Sequence, residues 1–365
     1  MLEYANPDLH ATDQFLFWTI PVDTVRVLDR YPGLVGERVY RPSRVSKIKR
    51  RREDLSGEEL QWLKTVTEDT SSLRHAEFVK LPPERRAAVL DVASDYLLYR
   101  TVADAPNATT YADRNRAVLA ARSQLKVRGE DKPVLPFTSS PEQGHQTARV
   151  GMAGGVRQGD WFEEINFRGA HHDVLDPDPG YAFGSQLQIG ALSLRHYHEQ
   201  NQVRIERLTV WNAMSLSPID RMFLSPSWKL NVGMDTVRQE RAGVSCRYCS
   251  NGNINIGGGG AIESHVLRHE MFFAMIEGDA NVSAAYEEHH RVGAGGTVGM
   301  LAEVTDRWKV MMTSTYLRFP FGERGDEWRG SIQQRYTLTN NLAVRFELNH
   351  RHKDTEGVLS LYAYF

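Results

Sequence analysis

The chain has almost no cysteine, two in 365 residues. A disulfide-dense scaffold and a zinc site made of thiolates alone are therefore excluded. It also lacks any run of about 18 apolar residues, so no transmembrane helix is expected. A transmembrane β-barrel stays open, because its strands alternate and escape hydropathy averages. An excess of one charge is lacking too. The 44 basic and 46 acidic residues give a formal net charge of -2, which excludes a globally basic nucleic-acid binder. Met1 is followed by Leu-Glu-Tyr-Ala-Asn-Pro, with neither the basic nor the apolar segment of a signal peptide. Either the protein is cytosolic or its beginning lies upstream of Met1.

Several catalytic signatures are missing. There is no P-loop, because Gly257 to Gly260 is followed by neither a lysine nor a helix. Strand glycines there would permit a bend or close backbone packing. No HExxH zinc motif and no GxSxG nucleophile elbow occur. No metal site and no cofactor are expected.

The pattern that is present changes near residue 140. The fold class expected is α+β: a small, mainly helical N-terminal region over residues 1–140, then a large antiparallel β-barrel of roughly ten to twelve strands over residues 141–365. Pro21 to Leu28 reads as a helix start with Asp23 as a cap, and Ser56 with Glu59 reads as a capping box. Longer helical patterns run from Glu84 to Tyr99 and from Tyr111 to Lys126, and Pro133, Pro136 and Pro141 mark a linker. The basic run Lys47, Lys49, Arg50, Arg51 and Arg52 could meet phosphates or lipid headgroups, but nearby acids make it a solvated face.

Beyond residue 143, segments of about ten residues alternate in polarity. Trp308, Met312 and Tyr316 oppose Lys309 and Thr315, and Val344, Phe346 and Leu348 oppose Arg345 and Glu347. Thr305-Asp306 and Asn340-Asn341 look like tight turns, and Phe321 to Glu327 like a longer loop. Short turns on one rim and longer loops on the other fit a membrane barrel. The final strand ends on Phe365, with Leu359, Leu361 and Ala363 on the same face, which resembles the terminal signal of bacterial outer-membrane barrels. A soluble barrel with its apolar face inward is the competing reading.

Three loops carry candidate chemistry. In 168-RGAHHDVLDPDPGY-181, His172 beside Asp173 could be a carboxylate-oriented base, and Asp176 and Asp178 could hold a hard cation. The same stretch is a strong turn signal, and a structured loop is the preferred reading. The catalytic residues stay unknown, with His172, Asp173 and His145 as the candidates. The other loops are 141–155, with Gly144, His145 and Arg149, and 215–233, where Ser217 and Ser225 precede prolines and Trp228 begins a strand. Glu287 to His290 reads as a polar hairpin loop. Cys246 and Cys249 are spaced as CxxC, and a loop disulfide is favoured over a redox or metal role.

PVDTVRVL (21–28), YRPSR (40–44), GHQTARVGMAGG (144–155), RGAHHDVLDPDPGY (168–181) and SLSP…SPSW (215–228) occur in order. This pattern resembles bacterial envelope proteins with the Lnb-type N-terminal periplasmic domain, a domain of unknown function. The resemblance marks Gly144, Arg149, Asp176, Gly180, Ser217 and Trp228 as family-motif loop residues. It implies an upstream signal peptide and a papain-like cysteine module, whose Cys and His motifs have no matching positions here. The chain would then be the C-terminal part of an envelope protein, inactive alone. Its barrel would anchor or position an acyltransferase or hydrolase beside outer-membrane lipid or lipoprotein. The alternative is a non-catalytic outer-membrane pore or binding barrel. No nucleic-acid partner is expected.

Overall fold

The computed structural model describes residues 21–365, apart from 31–32, 37–38, 40, 130–139, 221, 224, 242–243 and 352–353. The segment 2–9, Tyr40 of the YRPSR motif and the linker prolines Pro133 and Pro136 lie outside the described residues. The described residues divide into two units: those between 35 and 129, and the barrel together with those between 21 and 34.

The first unit is helical: α2 (Arg44–Arg52), α3 (Gly57–Glu68), α4 (Ala76–Lys80), α5 (Pro83–Ala103) and α6 (Ala108–Ser123). The expected capping box forms, with Ser56 Oγ accepting from Glu59 N and the Glu59 carboxylate accepting from Ser56 N. Pro83 opens α5 at a position where a missing N–H costs nothing. Leu63, Val66, Phe78, Val89, Leu97 and Val118 are buried in this unit. The basic run lies on α2, where Arg51 pairs with Asp95 of α5 at 2.6 Å and Arg50 with Glu53 at 2.8 Å.

Helix α1 (Pro21–Asp29) belongs to the barrel unit, not to the helical region in which residues 1–140 were expected together. Arg26 is the reason. Its guanidinium donates to the carbonyls of Glu142 (3.0 Å) and His145 (2.7 Å), just before the first strand. Asp23 pairs with Arg26 at 2.8 Å.

The second unit is a closed barrel of twelve antiparallel strands, each paired with its sequence neighbour. They are β1 (Arg149–Arg157), β2 (Asp160–His172), β3 (Ser185–Tyr197), β4 (Gln202–Ser215), β5 (Ser227–Arg241), β6 (Val244–Ser264), β7 (His269–Val282), β8 (His290–Thr305), β9 (Trp308–Gly322), β10 (Gly325–Thr339), β11 (Leu342–Arg351) and β12 (Asp354–Tyr364). The seam pairs β1 with β12, from Arg149 opposite Tyr364 to Arg157 opposite Glu356.

The polarity of the wall is inverted relative to a soluble barrel. Met152, Ile165, Ile254, Ile256, Ile276, Val298, Ile332, Leu359 and Leu361 are exposed on its outside. Arg157, Glu164, Arg195, Asn251, Asn255, Glu277, Asp279, Thr297 and Arg335 are buried in its interior. Because side chains alternate along a strand, one register decides both faces at once.

Two features of the wall differ from the sequence expectation. Phe321 to Glu327 is not a long loop: β9 runs to Gly322 and β10 starts at Gly325, leaving a tight turn. Gly322 has a positive φ of 71°, which makes that reversal possible. The long connections, residues 173–184 and 216–226, instead lie on the rim that carries the chain ends of the barrel, alongside the short Asp306-Arg307 and Asn340-Asn341 turns.

Glycines clear space inside. A Cβ on Gly151 would lie 2.4 Å from the Tyr362 ring, so the bare backbone there admits a buried tyrosine at the seam. Gly257 leaves room for the Lys229–Glu277 ion pair (2.5 Å), which bridges β5 and β7 across β6. Gly151→Ala should cost about 1–3 kcal/mol through overpacking. Gly258→Ala, with open space around its Cβ position, should be near neutral. Urea unfolding of the two variants in detergent checks the difference.

Candidate functional site: an interior loop and a charged lumen

The β2–β3 connection folds into the barrel. Its sequence dictates a tight local shape. Asp173 Oδ1 accepts from Leu175 N (2.9 Å), and Asp176 Oδ2 accepts from Asp173 N (2.9 Å). Asp176 N in turn donates to Asp173 O (2.8 Å), closing a turn. Pro177 and Pro179 fix their own φ, and Gly180 takes a φ of 84° that suits glycine.

The wall then grips this loop. Arg168 of β2 meets Asp176 at 2.8 Å, and Arg335 of β10 meets it at 3.4 Å. Tyr364 of β12 donates its hydroxyl to the same carboxylate (2.7 Å). Arg345 of β11 pairs with Asp173 at 2.9 Å, and Gln188 of β3 donates to Asp173 at 2.6 Å. Lys309 of β9 donates to the carbonyls of Val174 (3.2 Å) and Asp176 (2.9 Å) and pairs with Asp178. Between these polar contacts, Val174 and Leu175 pack on Met214, Leu216, Met271, Phe273 and Leu301. Burying two such side chains favours the docked loop by about 1.5–3 kcal/mol each.

Burial works against ionising Asp173 and Asp176, but the guanidiniums outweigh it. Arg345 holds Asp173, and Arg168 and Arg335 hold Asp176, below the usual carboxylate range. His145 closes the edge of the cluster. Its Nε2 lies 2.9 Å from His172 Nδ1, and Tyr181 stacks on both rings. Burial pushes the His145 imidazole down to about 4, against the pull of Asp176.

The candidate residues therefore divide. His145, His172, Asp173 and Asp176 come together, with Gly144 accepting from Arg26 and Gly180 turning the loop. His172 and Asp173 do not pair with each other: the imidazole meets His145 and the carboxylate meets Arg345. Asp176 pairs with Arg168 and Asp178 with Lys309. Arg149 lies over the Tyr362 ring at 3.9 Å. The Ser217 backbone is tied to the Ser227 hydroxyl (N···Oγ 2.9 Å), in the other long connection. Trp228 points outward from the wall. Cys246 and Cys249 form a disulfide. Arg168, Lys309, Arg335, Arg345, Tyr181 and Tyr364 complete the cluster. Arg168 and Tyr181 lie in the 168–181 stretch itself, but no local signal links Lys309, Arg335, Arg345 or Tyr364 to it.

Above the loop lies a polar cavity of about 400 Å³, with Arg207, Lys229, Asn231, Asn253, Glu347 and Ser360 among its lining residues. Ion pairs cross it between strands that are not neighbours. Arg351 of β11 meets Asp235 of β5 (2.7 Å), Arg329 of β10 meets Asp279 of β7 (3.0 Å), and Arg195 of β3 meets Glu356 of β12 (2.9 Å). At the far rim Arg157 meets Glu206 (2.8 Å) and Asp354.

Residues 138–364 match the family model described as a domain of unknown function, DUF7840, and residues 38–134 match a second one, DUF7842. The chain belongs to the DUF7840 family, whose model spans more than half of it. No curated protein matches. Among solved structures, the KdgM porin is 8% identical with a TM-score of 0.35, over 60% of this chain and 99% of that one. The NanC porin is 8% identical with a TM-score of 0.34, over 59% and 98%. An outer membrane channel from Pseudomonas putida F1 is 9% identical with a TM-score of 0.33, over 66% and 100%.

Acid should release the loop. The docked His145 holds off its proton until about pH 4, whereas a released one titrates near 6.5. Between those values the released state binds more protons, so docking weakens as pH falls, by up to about 3 kcal/mol. The aspartates, depressed in the docked state, add to the loss only below their ordinary value of 3.8. Protection factors of the amides between Val174 and Tyr181, which correct for the slower intrinsic exchange at lower pH, should therefore fall from pH 7 to pH 5, and His145→Gln should weaken that dependence.

Proposed function

We propose that the barrel spans a bacterial outer membrane and that its lumen is a gated passage for small hydrophilic solutes, held shut by the β2–β3 loop. The observation that carries this reading is the inverted wall with a loop ion-paired inside it. A soluble barrel would have to leave Ile165, Ile256, Ile276 and Val298 in water, an apolar exterior far beyond scattered surface residues. In lipid the same band is matched to its solvent, and closure leaves no strand edge unpaired. Exposed aromatics edge the band, with Trp161, Phe321 and Trp328 toward one rim and Trp228, Trp308 and Tyr336 toward the other. This is the arrangement of outer-membrane-type barrels. A disulfide suits an oxidising envelope compartment. The partner on the outer wall is then membrane lipid.

A barrel that positions a cysteine acyltransferase, as the Lnb-type resemblance implies, would draw its nucleophile from elsewhere. Both cysteines of this chain are in the disulfide. Residues from two of the motifs that carry the resemblance, His145, His172, Asp173 and Asp176, are engaged in loop docking.

Planar-bilayer recording of the full chain tests the gate. The unmodified protein should insert and stay mostly closed. Removing one partner of a buried pair costs about 3–5 kcal/mol, so Asp176→Ala and Arg345→Ala should each raise the open probability by at least tenfold. A chain that conducts equally with and without these substitutions, or that never enters the bilayer, would contradict the proposal.

A further inference from the structure

A second polar cluster stands on the outer wall, near the rim opposite the long loops. Glu163 of β2 is the direct cross-strand partner of His196 on β3. His198 follows two residues on, held by its backbone N–H to Trp161 O at 3.0 Å. A strand directs alternate residues to one face, so His196 and His198 project together beside Glu163. Glu163 Oε1 lies 2.7 Å from His198 Nε2, and Oε2 lies 3.3 Å from His196 Nδ1. The three candidate ligand atoms all fall within 4.8 Å of one another. For metal–ligand bonds of about 2.0–2.1 Å, the edge of a coordination tetrahedron is about 3.3 Å.

The far side of His196 supplies the second observation. Its Nε2 lies 3.2 Å from Asn201 Oδ1, an oxygen that can only accept. Asn201 sits in the β3–β4 turn with a positive φ of 45° and donates its own N–H to His198 O at 3.2 Å. The turn thus places the amide oxygen where it accepts from the Nε2–H of His196, with Nδ1 turned toward the Glu163 carboxylate. A carbonyl-type acceptor behind a histidine is also the usual outer-shell support of a ligating imidazole.

We infer that Glu163, His196 and His198 bind one divalent transition-metal ion of the zinc type, with at least one coordination position open to water. Two imidazoles and one carboxylate suit zinc or cobalt and do not suit calcium or magnesium, which take oxygen ligands. The site faces the surroundings of the barrel, not its lumen, so it stands independently of the gate. The His-x-His pair was visible in the sequence, but Glu163 lies 33 residues away and only strand pairing brings it in.

Cobalt(II) binding to the full chain in detergent micelles tests the assignment, read by visible absorption and titrated with zinc(II) as competitor. One equivalent should give the visible bands of a cobalt site with nitrogen and oxygen ligands, and zinc should erase them. Glu163→Gln should weaken binding at least tenfold, and the double variant His196→Asn/His198→Asn should abolish the bands. Retention of the gel shift on heating shows that each variant is folded, and Glu163→Gln is conservative enough to stand alone. The buried His145 and His172 are unchanged in these variants. Bands that survive them, or no uptake by the unmodified chain at micromolar cobalt, would overturn the assignment.

Discussion

A single buried carboxylate organises the interior. Asp176 is fully enclosed, and Arg168, Arg335 and the Tyr364 hydroxyl converge on it from three strands. Those strands include β12, one side of the closing seam, and β2, which pairs with β1 on its other side. Because Val174 and Leu175 also pack on Met271 and Phe273 of β7, the loop ties the seam side to the opposite wall as well as filling the lumen. A buried ion pair adds little net stability over an apolar equivalent, but removing one partner is costly. Such a contact favours one arrangement strongly over its near alternatives. That is the property of a latch, and the same charges allow protons or a competing ion to undo it.

The lumen extends this logic. Cross-barrel pairs such as Arg351–Asp235 and Arg329–Asp279 hold distant strands at a set distance, and the intervening space is lined by polar groups of both signs. The proposed passage would favour small hydrophilic solutes without a strong preference for charge sign. The outer wall is uniform by comparison, and the Glu163–His196–His198 cluster is a departure from it close to a rim. The two features serve different surroundings, one enclosed and one facing outward.

Much of the architecture was legible. Alternation in β9 and β11 marked strands with one polar and one apolar face, and the barrel follows from repeating that pattern to Phe365. The pattern could not say which face was inside. That depends on closure, a property of twelve strands together. The 168–181 stretch was legible as a shaped loop, because Asp, Pro and Gly write their torsions locally. Its partners were not: Lys309, Arg335 and Arg345 lie more than 130 residues away, and only the register of the closed sheet brings them to it. The turn at Glu323 misled for a related reason. Phe321 to Glu327 has loop-like composition, yet ladder pairing carries β9 to Gly322 and restarts at Gly325.

The central claim is that the apolar outside of this barrel lies against lipid. Fluorescence quenching by acyl-brominated lipids, compared with quenching by aqueous acrylamide, tests it most directly in reconstituted vesicles. Five of the seven tryptophans, Trp161, Trp211, Trp228, Trp308 and Trp328, are exposed on the outer wall. The account requires brominated chains to quench most of the emission while acrylamide quenches little of it. Strong acrylamide quenching with no effect of the brominated lipids would place that wall in water and contradict it.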